Sequence, residues 1–162
     1  MLFLAVFCGF LAEYQLEHKI EKDREKQYMA SLFQDLKTDT LTLGGLIKST
    51  MDDISNNDSL FELFKSKKYL QQTSNAYFFG RKTVTFRPFY PTDGTITQLE
   101  NAGGLRLIKN RAIVDSIQSY KQTTSHLKSI QEYEREHFML AKSLMGKIFD
   151  ANVFDIMIAQ GS

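Results

Sequence analysis

Asn110 to Asp150 reads NRAIVDSIQSYKQTTSHLKSIQEYEREHFMLAKSLMGKIFD, and this stretch decides the fold class. Ile113, Ile117, Tyr120, Thr124, Leu127 and Ile130 recur at steps of three or four. Tyr133, His137, Leu140, Leu144 and Ile148 carry the stripe onward. Such steps put side chains on one side of an α-helix. Asn110 suits the N-cap, and Asp115 suits the positive end of the helix dipole. No proline interrupts the stretch. One long helix is therefore expected here, with the stripe as its apolar face.

Upstream, Tyr28, Leu32, Leu36, Leu43, Ile47, Met51 and Ile54 form a second stripe. Gly44-Gly45 interrupts it at a candidate bend. The helix is expected to stop at Ser55-Asn56-Asn57-Asp58, a cluster of turn and cap residues. Ser59 and Glu62 then match a capping box, opening a short helix to about Lys67. A further piece runs from about Lys68 to Phe79, with Gly80 as its C-cap. Residues 81–91, RKTVTFRPFYP, are the least helical part. Thr83 to Phe86 suit an extended strand, but no second strand exists to pair with it, so a loop packed by its aromatics is expected. Thr92-Asp93-Gly94 begins another short helix, which Gly103-Gly104 ends by supplying the positive φ of a C-cap. Leu105 to Lys109 connect it to the long helix. Ala151 to Ile158 are apolar and precede Gln160-Gly161-Ser162, as a docked or frayed tail.

The N-terminal segment, Met1 to Ala12, reads MLFLAVFCGFLA and carries no charge. A membrane span needs about 20 apolar residues; this run reaches Glu13 after 12. A signal peptide would open on Lys or Arg and close on a small-residue cleavage site, and neither is present. A core helix would be apolar on one stripe, whereas residues 2–11 are apolar all round. The run is therefore read as the outer half of a transmembrane helix that begins before Met1. Residues 13–27 mix Glu13, Glu17, Glu21, Asp23 and Glu25 with Lys19, Lys22, Arg24 and Lys26. That flank has no cationic excess, so the domain is expected to face outward, into a periplasm, from a bacterial inner membrane. Without breakers, residues 13–27 should continue the helix as a solvated stalk.

Composition agrees with this outline. The 162 residues are 43% hydrophobic and 24% charged, enough for one domain with a core. Two prolines and nine glycines favour long helices over a turn-rich β-fold. The net charge of +1 gives no general pull toward nucleic acid or acidic lipid. The single cysteine, Cys8, has no partner for a disulfide and reads as a small hydrophobe.

Several segments together resemble a known family. These are the apolar N-terminus leading into Glu13-Tyr14, the charged stalk, and Tyr28 through Leu32, Asp35, Leu36, Lys37 and Asp39. Leu99-Glu100 follows, then Gly103-Gly104-Leu105-Arg106-Leu107-Ile108-Lys109-Asn110, Ile113 and Tyr120. The chain resembles a family of single-pass membrane proteins common in Bacteroidota, whose members carry a helical extracytoplasmic domain. The resemblance covers most of residues 1–150. Family members usually start with a short basic cytoplasmic stretch, and this chain does not. The resemblance implies topology; no activity is established for the family.

Residues that could carry chemistry are few. Glu134-Arg135-Glu136-His137 places Glu and His three apart on one helical face, as in di-iron bundles. Such sites need a second Glu-x-x-His pair, and neither His18 nor His126 has a Glu three residues before it. There is no Gly-x-Ser-x-Gly elbow and no phosphate-binding glycine loop. Phe78, Phe79, Phe86, Phe89 and Tyr90 alternate with Arg81, Lys82 and Arg87. Basic residues between aromatics can grip single-stranded nucleic acid, a lipid headgroup or a protein partner. The plain alternative is aromatics filling gaps between helices while the charges face water. An exported domain would meet little nucleic acid, so Phe78, Phe79, Arg81, Phe86, Arg87, Phe89 and Tyr90 are named as candidate partner-binding residues.

The expected architecture is all-α. A transmembrane helix (1–12) continues into a stalk (13–27) and an antiparallel helical bundle (28–158) with short intervening helices. The expected role is a non-enzymatic interaction or scaffold protein, an accessory subunit of a larger envelope complex or a self-associating one. It would contact membrane lipid through the N-terminal helix and use no cofactor, metal or nucleic acid. The alternatives are an extracytoplasmic ligand-sensing domain and, more remotely, a metal enzyme.

Overall fold

The structure, a computed structural model, describes residues 2–159 and, at Leu2, the backbone alone. Met1 of the apolar segment and the closing Gln160-Gly161-Ser162 lie outside the described residues. Among the described residues the chain is all-helical, without a strand. Its helices are α1 (Leu2–Lys65), α2 (Thr73–Thr83), α3 (Gly94–Asn101), α4 (Arg111–Met145) and α5 (Ala151–Ala159). Short 3-10 turns at Lys68–Leu70 and Gly104–Leu107 separate some of them. No helix among the described residues is long and apolar enough to cross a membrane. The apolar start of α1 covers about 16 Å before Glu13, against about 30 Å of bilayer hydrocarbon.

Several local expectations are corrected. α1 does not stop at Ser55-Asn56-Asn57-Asp58 but runs through to Lys65, and it passes through Gly44-Gly45 as well. Ser59 is not an N-cap: its hydroxyl donates back to the Ser55 carbonyl at 2.9 Å, inside the helix. Glu62 pairs with Lys65 instead of reaching back to Ser59. Leu60 and Leu63, just beyond the polar cluster, are buried. Their burial outweighs the weak helix propensity of Ser, Asn and Asp, each a few tenths of a kcal/mol. The chain turns instead at Lys67, which takes a left-handed φ of 56°.

The chain forms two compact units. The first takes residues up to Leu41 together with Pro91–Thr124. Its core is Leu32 of α1, Ile96 and Leu99 of α3, Ile108, and Val114 and Ile117 of α4. Tyr28, Met29, Leu105, Ile113 and Tyr120 pack around these. Asn110 caps α4 by accepting from the Ala112 N–H at 3.0 Å. Gly103 adopts a φ of 63° just past α3, the left-handed conformation that glycine takes without a Cβ clash.

The second unit takes Thr42–Tyr90 and the chain from Ser125 onward. Leu60, Leu63, Ala76 and Phe149 form its core. The Phe149 ring lies 5.0 Å from Tyr77, 5.7 Å from Phe154 and 6.3 Å from Phe64, centroid to centroid. α5 is docked through this cluster, with Tyr77 and Phe154 at 5.6 Å.

Gly80 does not end α2; it lies inside the helix and is buried. A Cβ there would stand 2.7 Å from Phe149 Cζ and 2.9 Å from Cε2. The residue is a helix glycine because a ring occupies the space. Gly80→Ala is expected to destabilise by about 1 kcal/mol, overpacking of about 2 kcal/mol less the helix-propensity gain of about 1. Urea denaturation checks this, and Phe149→Leu in the same chain should turn Gly80→Ala neutral or stabilising by clearing the ring.

The long stripes divide between the units. Leu32 and Ile117 are buried in the first, with Tyr120 and Ile113 half-buried. In the second, Ile47, Met51 and Ile54 of α1 are exposed, as are Ile130, Tyr133, His137, Leu140 and Leu144 of α4. There α4 turns Leu127 of the stripe inward, together with Gln131, Phe138 and Met145, which lie off the stripe.

Candidate functional site

The seven candidate partner-binding residues all lie in the second unit, but they do not form one surface. Phe78 and Phe79 meet edge-on at 5.4 Å near the end of α2. Phe79 packs against the core while Phe78 is partly exposed, with Lys82 Nζ 5.8 Å above its ring. Arg81 is half-buried. Beyond Thr83 the chain is irregular to Asp93. Phe86 stacks on Phe138 of α4 at 5.5 Å, and Arg87 is engaged in an ion pair with Asp53 of α1. Phe89 is buried: its N–H donates to the Gln131 side-chain oxygen, and the Gln131 amide donates to its carbonyl at 3.1 Å. Tyr90 stands clear, 78% exposed. The aromatics at 86 and 89 thus seal the segment onto α4, and Phe78 and Tyr90 are left exposed.

The most developed polar arrangement lies in the first unit. Asp39, buried on α1, accepts the Thr92 N–H at 2.9 and 3.1 Å and also the Tyr120 hydroxyl. One turn earlier, Asp35 accepts the Thr95 N–H at 3.3 Å. The two carboxylates, four residues apart, therefore hold the start of α3, where unpaired N–H groups and the positive end of the dipole favour them. Burial would raise the Asp39 pKa, but the bonds from Tyr120 and Thr92 outweigh it and hold the carboxyl below its ordinary value. Burial, the bond to Asp39 and the surrounding carboxylates of Asp39, Asp35 and Asp93 push the Tyr120 hydroxyl upward. Both groups are driven away from neutrality, the reverse of what a proton-shuttling pair needs. The cluster is built to hold three segments together.

Sequence reading missed this cluster. Asp35 and Asp39 interrupt an apolar stripe at helical spacing, and a polar residue on an apolar face is a signal for a buried partner. Nothing local names Tyr120, 81 positions away.

Other candidates are weaker. His137 lies edge-on to the Tyr133 ring at 4.4 Å on the surface of α4. Among the described residues no group of three or more His, Cys, Asp or Glu side chains gathers to hold a metal. Cys8 is exposed on α1. An apolar cleft of about 150 Å³ between Leu32, Leu36, Ile96, Ile117 and Tyr120 is well below the roughly 300–1,000 Å³ of ordinary ligand sites. An open cleft of about 370 Å³ is lined by charges of both signs, Glu17, Glu21 and Glu25 against Lys22, Arg106 and Lys109. Large apolar side chains outnumber these polar features on the surface: Phe3, Leu4, Val6, Phe7, Phe10 and Leu11 at the start of α1, and the outer stripes of α1 and α4 in the second unit. No family model, curated protein or solved structure matches this chain.

Proposed function

We propose that the chain is a membrane-anchored, non-enzymatic interaction protein, a scaffold or accessory subunit of a larger assembly in the bacterial envelope, with its helical domain on the periplasmic side. The carrying observation is the uncovered start of α1. Phe3 is 84% and Phe10 73% exposed, and Leu4, Val6, Phe7 and Leu11 are open around them. Covering six such side chains is worth on the order of 10 kcal/mol. An apolar face on all sides of a helix suits lipid better than a protein groove, which would cover one stripe. The likeness to single-pass membrane proteins with an extracytoplasmic helical domain points the same way. The scaffold part of the reading draws on the exposed outer stripes and on a polar cluster tuned for holding.

Alkaline carbonate extraction of native membranes tests the anchor. The full-length protein should stay in the membrane pellet, and the variant Phe3→Ser, Phe7→Ser, Phe10→Ser, Leu11→Ser should move to the supernatant. Complete release of the wild-type protein would overturn the anchor. Protease added to spheroplasts should digest the domain if it faces the periplasm. A pull-down of tagged protein from gently solubilised membranes should yield itself or partners at near-stoichiometric levels; a lone monomer would overturn the scaffold.

A further inference from the structure

The stretch Gly104 to Val114, GLRLIKNRAIV, carries Arg106, Lys109 and Arg111 and no acidic residue. In the first unit these three cations line one open cleft of about 560 Å³. Leu105, Ile108 and Val114 supply its apolar part, Gln118 is its other polar side chain, and no carboxylate lines it. All three cations are exposed. Among the described residues none of the three takes part in an ion pair; the cations that do are Lys65, Arg87 and Lys121. The net charge of +1 therefore conceals a local concentration of positive charge. The turn that carries it is fixed against the early part of α1, where the Lys109 N–H donates to the Glu25 carboxylate at 3.1 Å. Arg106 and Lys109 also line the neighbouring cleft with Glu17, Glu21 and Glu25, and no ion pair bridges that cleft. The cations thus stand alongside residues 17–25 of α1. At about 1.5 Å per residue, that is about 8 to 20 Å past Ala12, where the apolar run ends. The headgroup layer on each side of a bilayer is about 5–8 Å thick, and long basic side chains extend toward it.

We infer that the cleft at Arg106, Lys109 and Arg111 binds the phosphate of an anionic phospholipid headgroup, in the membrane that holds the start of α1. The inference rests on the membrane-anchored reading, which brings lipid within reach of this turn. Three cations without carboxylate partners complement a phosphate, whose oxygens accept charge-assisted hydrogen bonds from guanidinium and ammonium groups. The apolar lining offers no competing charge. Position selects a lipid phosphate over a free one. A hydrophobic anchor and a basic patch reinforce each other on a membrane, because the first contact holds the second at high effective concentration. Each Lys or Arg beside an anionic surface strengthens binding about fivefold, so three give about 100-fold. Salt should screen most of that gain, since the cations are exposed.

Vesicle co-sedimentation tests it on the full-length chain carrying Phe3→Ser, Phe7→Ser, Phe10→Ser and Leu11→Ser, so that the apolar run no longer dominates binding. Vesicles of pure phosphatidylcholine are compared, at low salt, with phosphatidylcholine and phosphatidylglycerol mixed two to one. The protein should bind the anionic vesicles at least tenfold more tightly. Arg106→Gln, Lys109→Gln and Arg111→Gln together should abolish the preference, whereas Arg106→Lys with Arg111→Lys should keep it. The charge-matched set Lys128→Gln, Arg135→Gln and Lys142→Gln, exposed on α4 in the second unit, should change it less than twofold. All these side chains are on the surface, so the variants should fold. No preference for anionic vesicles, or an equal loss from both glutamine sets, would overturn the inference. Binding of inorganic phosphate without a preference for anionic vesicles would also overturn it, by assigning the cleft to a free anion. Carbonate extraction of the wild-type protein keeps the two readings apart. Retention in the pellet without a vesicle preference keeps the anchor and loses the headgroup site. Release with the vesicle preference intact loses the anchor and keeps the headgroup site.

Discussion

Leu99→Ala is expected to lower stability by about 3–4 kcal/mol. Leu99 is 0% exposed, at the centre of a core shared with Leu32, Ile96, Ile108, Val114 and Ile117. The loss combines the transfer of the removed carbons with the cavity they leave. The cavity cannot close easily. Leu99 packs against backbone at Gly104, where a Cβ would stand 2.9 Å from its Cδ2 and 3.2 Å from the Tyr28 ring. The ring and the turn are held by α1 and by Gly103, so neither moves in without breaking another contact. Thermal unfolding followed by circular dichroism should show a midpoint lower by about 10 °C for a chain of this size. Leu140→Ala, which removes the same atoms from an exposed site, should stay within about 0.5 kcal/mol. Equal losses at the two positions would mean that Leu99 is not the centre of the core.

Asp39→Ala should cost about 3 kcal/mol at neutral pH, for a different reason. The substitution removes a charged acceptor and leaves the Thr92 N–H and the Tyr120 hydroxyl without their partner in a partly buried place. Adding Tyr120→Phe should recover part of the loss, because the orphaned hydroxyl goes with it. The pH dependence follows from the two displaced groups. Asp39 is held below its ordinary 3.8, so its contribution is complete above about pH 4–5 and fades as pH falls through the lowered folded value. Tyr120 is held above its ordinary 10.0, so its contribution is complete below about pH 9 and fades as pH rises through the raised folded value. The difference between wild type and Asp39→Ala should therefore be flat from about pH 5 to 9 and shrink on both sides. Urea denaturation at pH 3, 7 and 10.5 measures it; a difference as large at pH 3 as at pH 7 would mean that Asp39 is not held as a carboxylate.

The two predictions probe features of unequal legibility. Leu99, Leu105 and Ile108 of the first core lie within a few residues of the Gly103-Gly104 turn, so their apolar character and their turn are visible in a local stretch of sequence. The Asp39 cluster is not, since its bonds join residues 53 and 81 positions apart. The candidate site at 78–90 was legible as a chemical pattern and illegible as a surface. Basic and aromatic residues were there to be counted. Which of them faced α4 depended on Phe138 and Gln131, more than 40 positions downstream.

Helical character, the Asn110 cap, the turn at Gly103 and the apolar N-terminal run were all present in the sequence. Each depends on dihedral preferences and bonds within about four residues, and a local window contains those in full. The tertiary structure settled which apolar face of each helix is covered, that α1 runs on through Ser55-Asn56-Asn57-Asp58, and that Gly80 serves a ring and not a helix end. Periodicity shows that a helix has an apolar side, but burial requires another segment to arrive there. At Phe138 that segment was the loop through Phe86, at Leu63 it was the second core, and at Leu140 none of the described residues arrives to bury it.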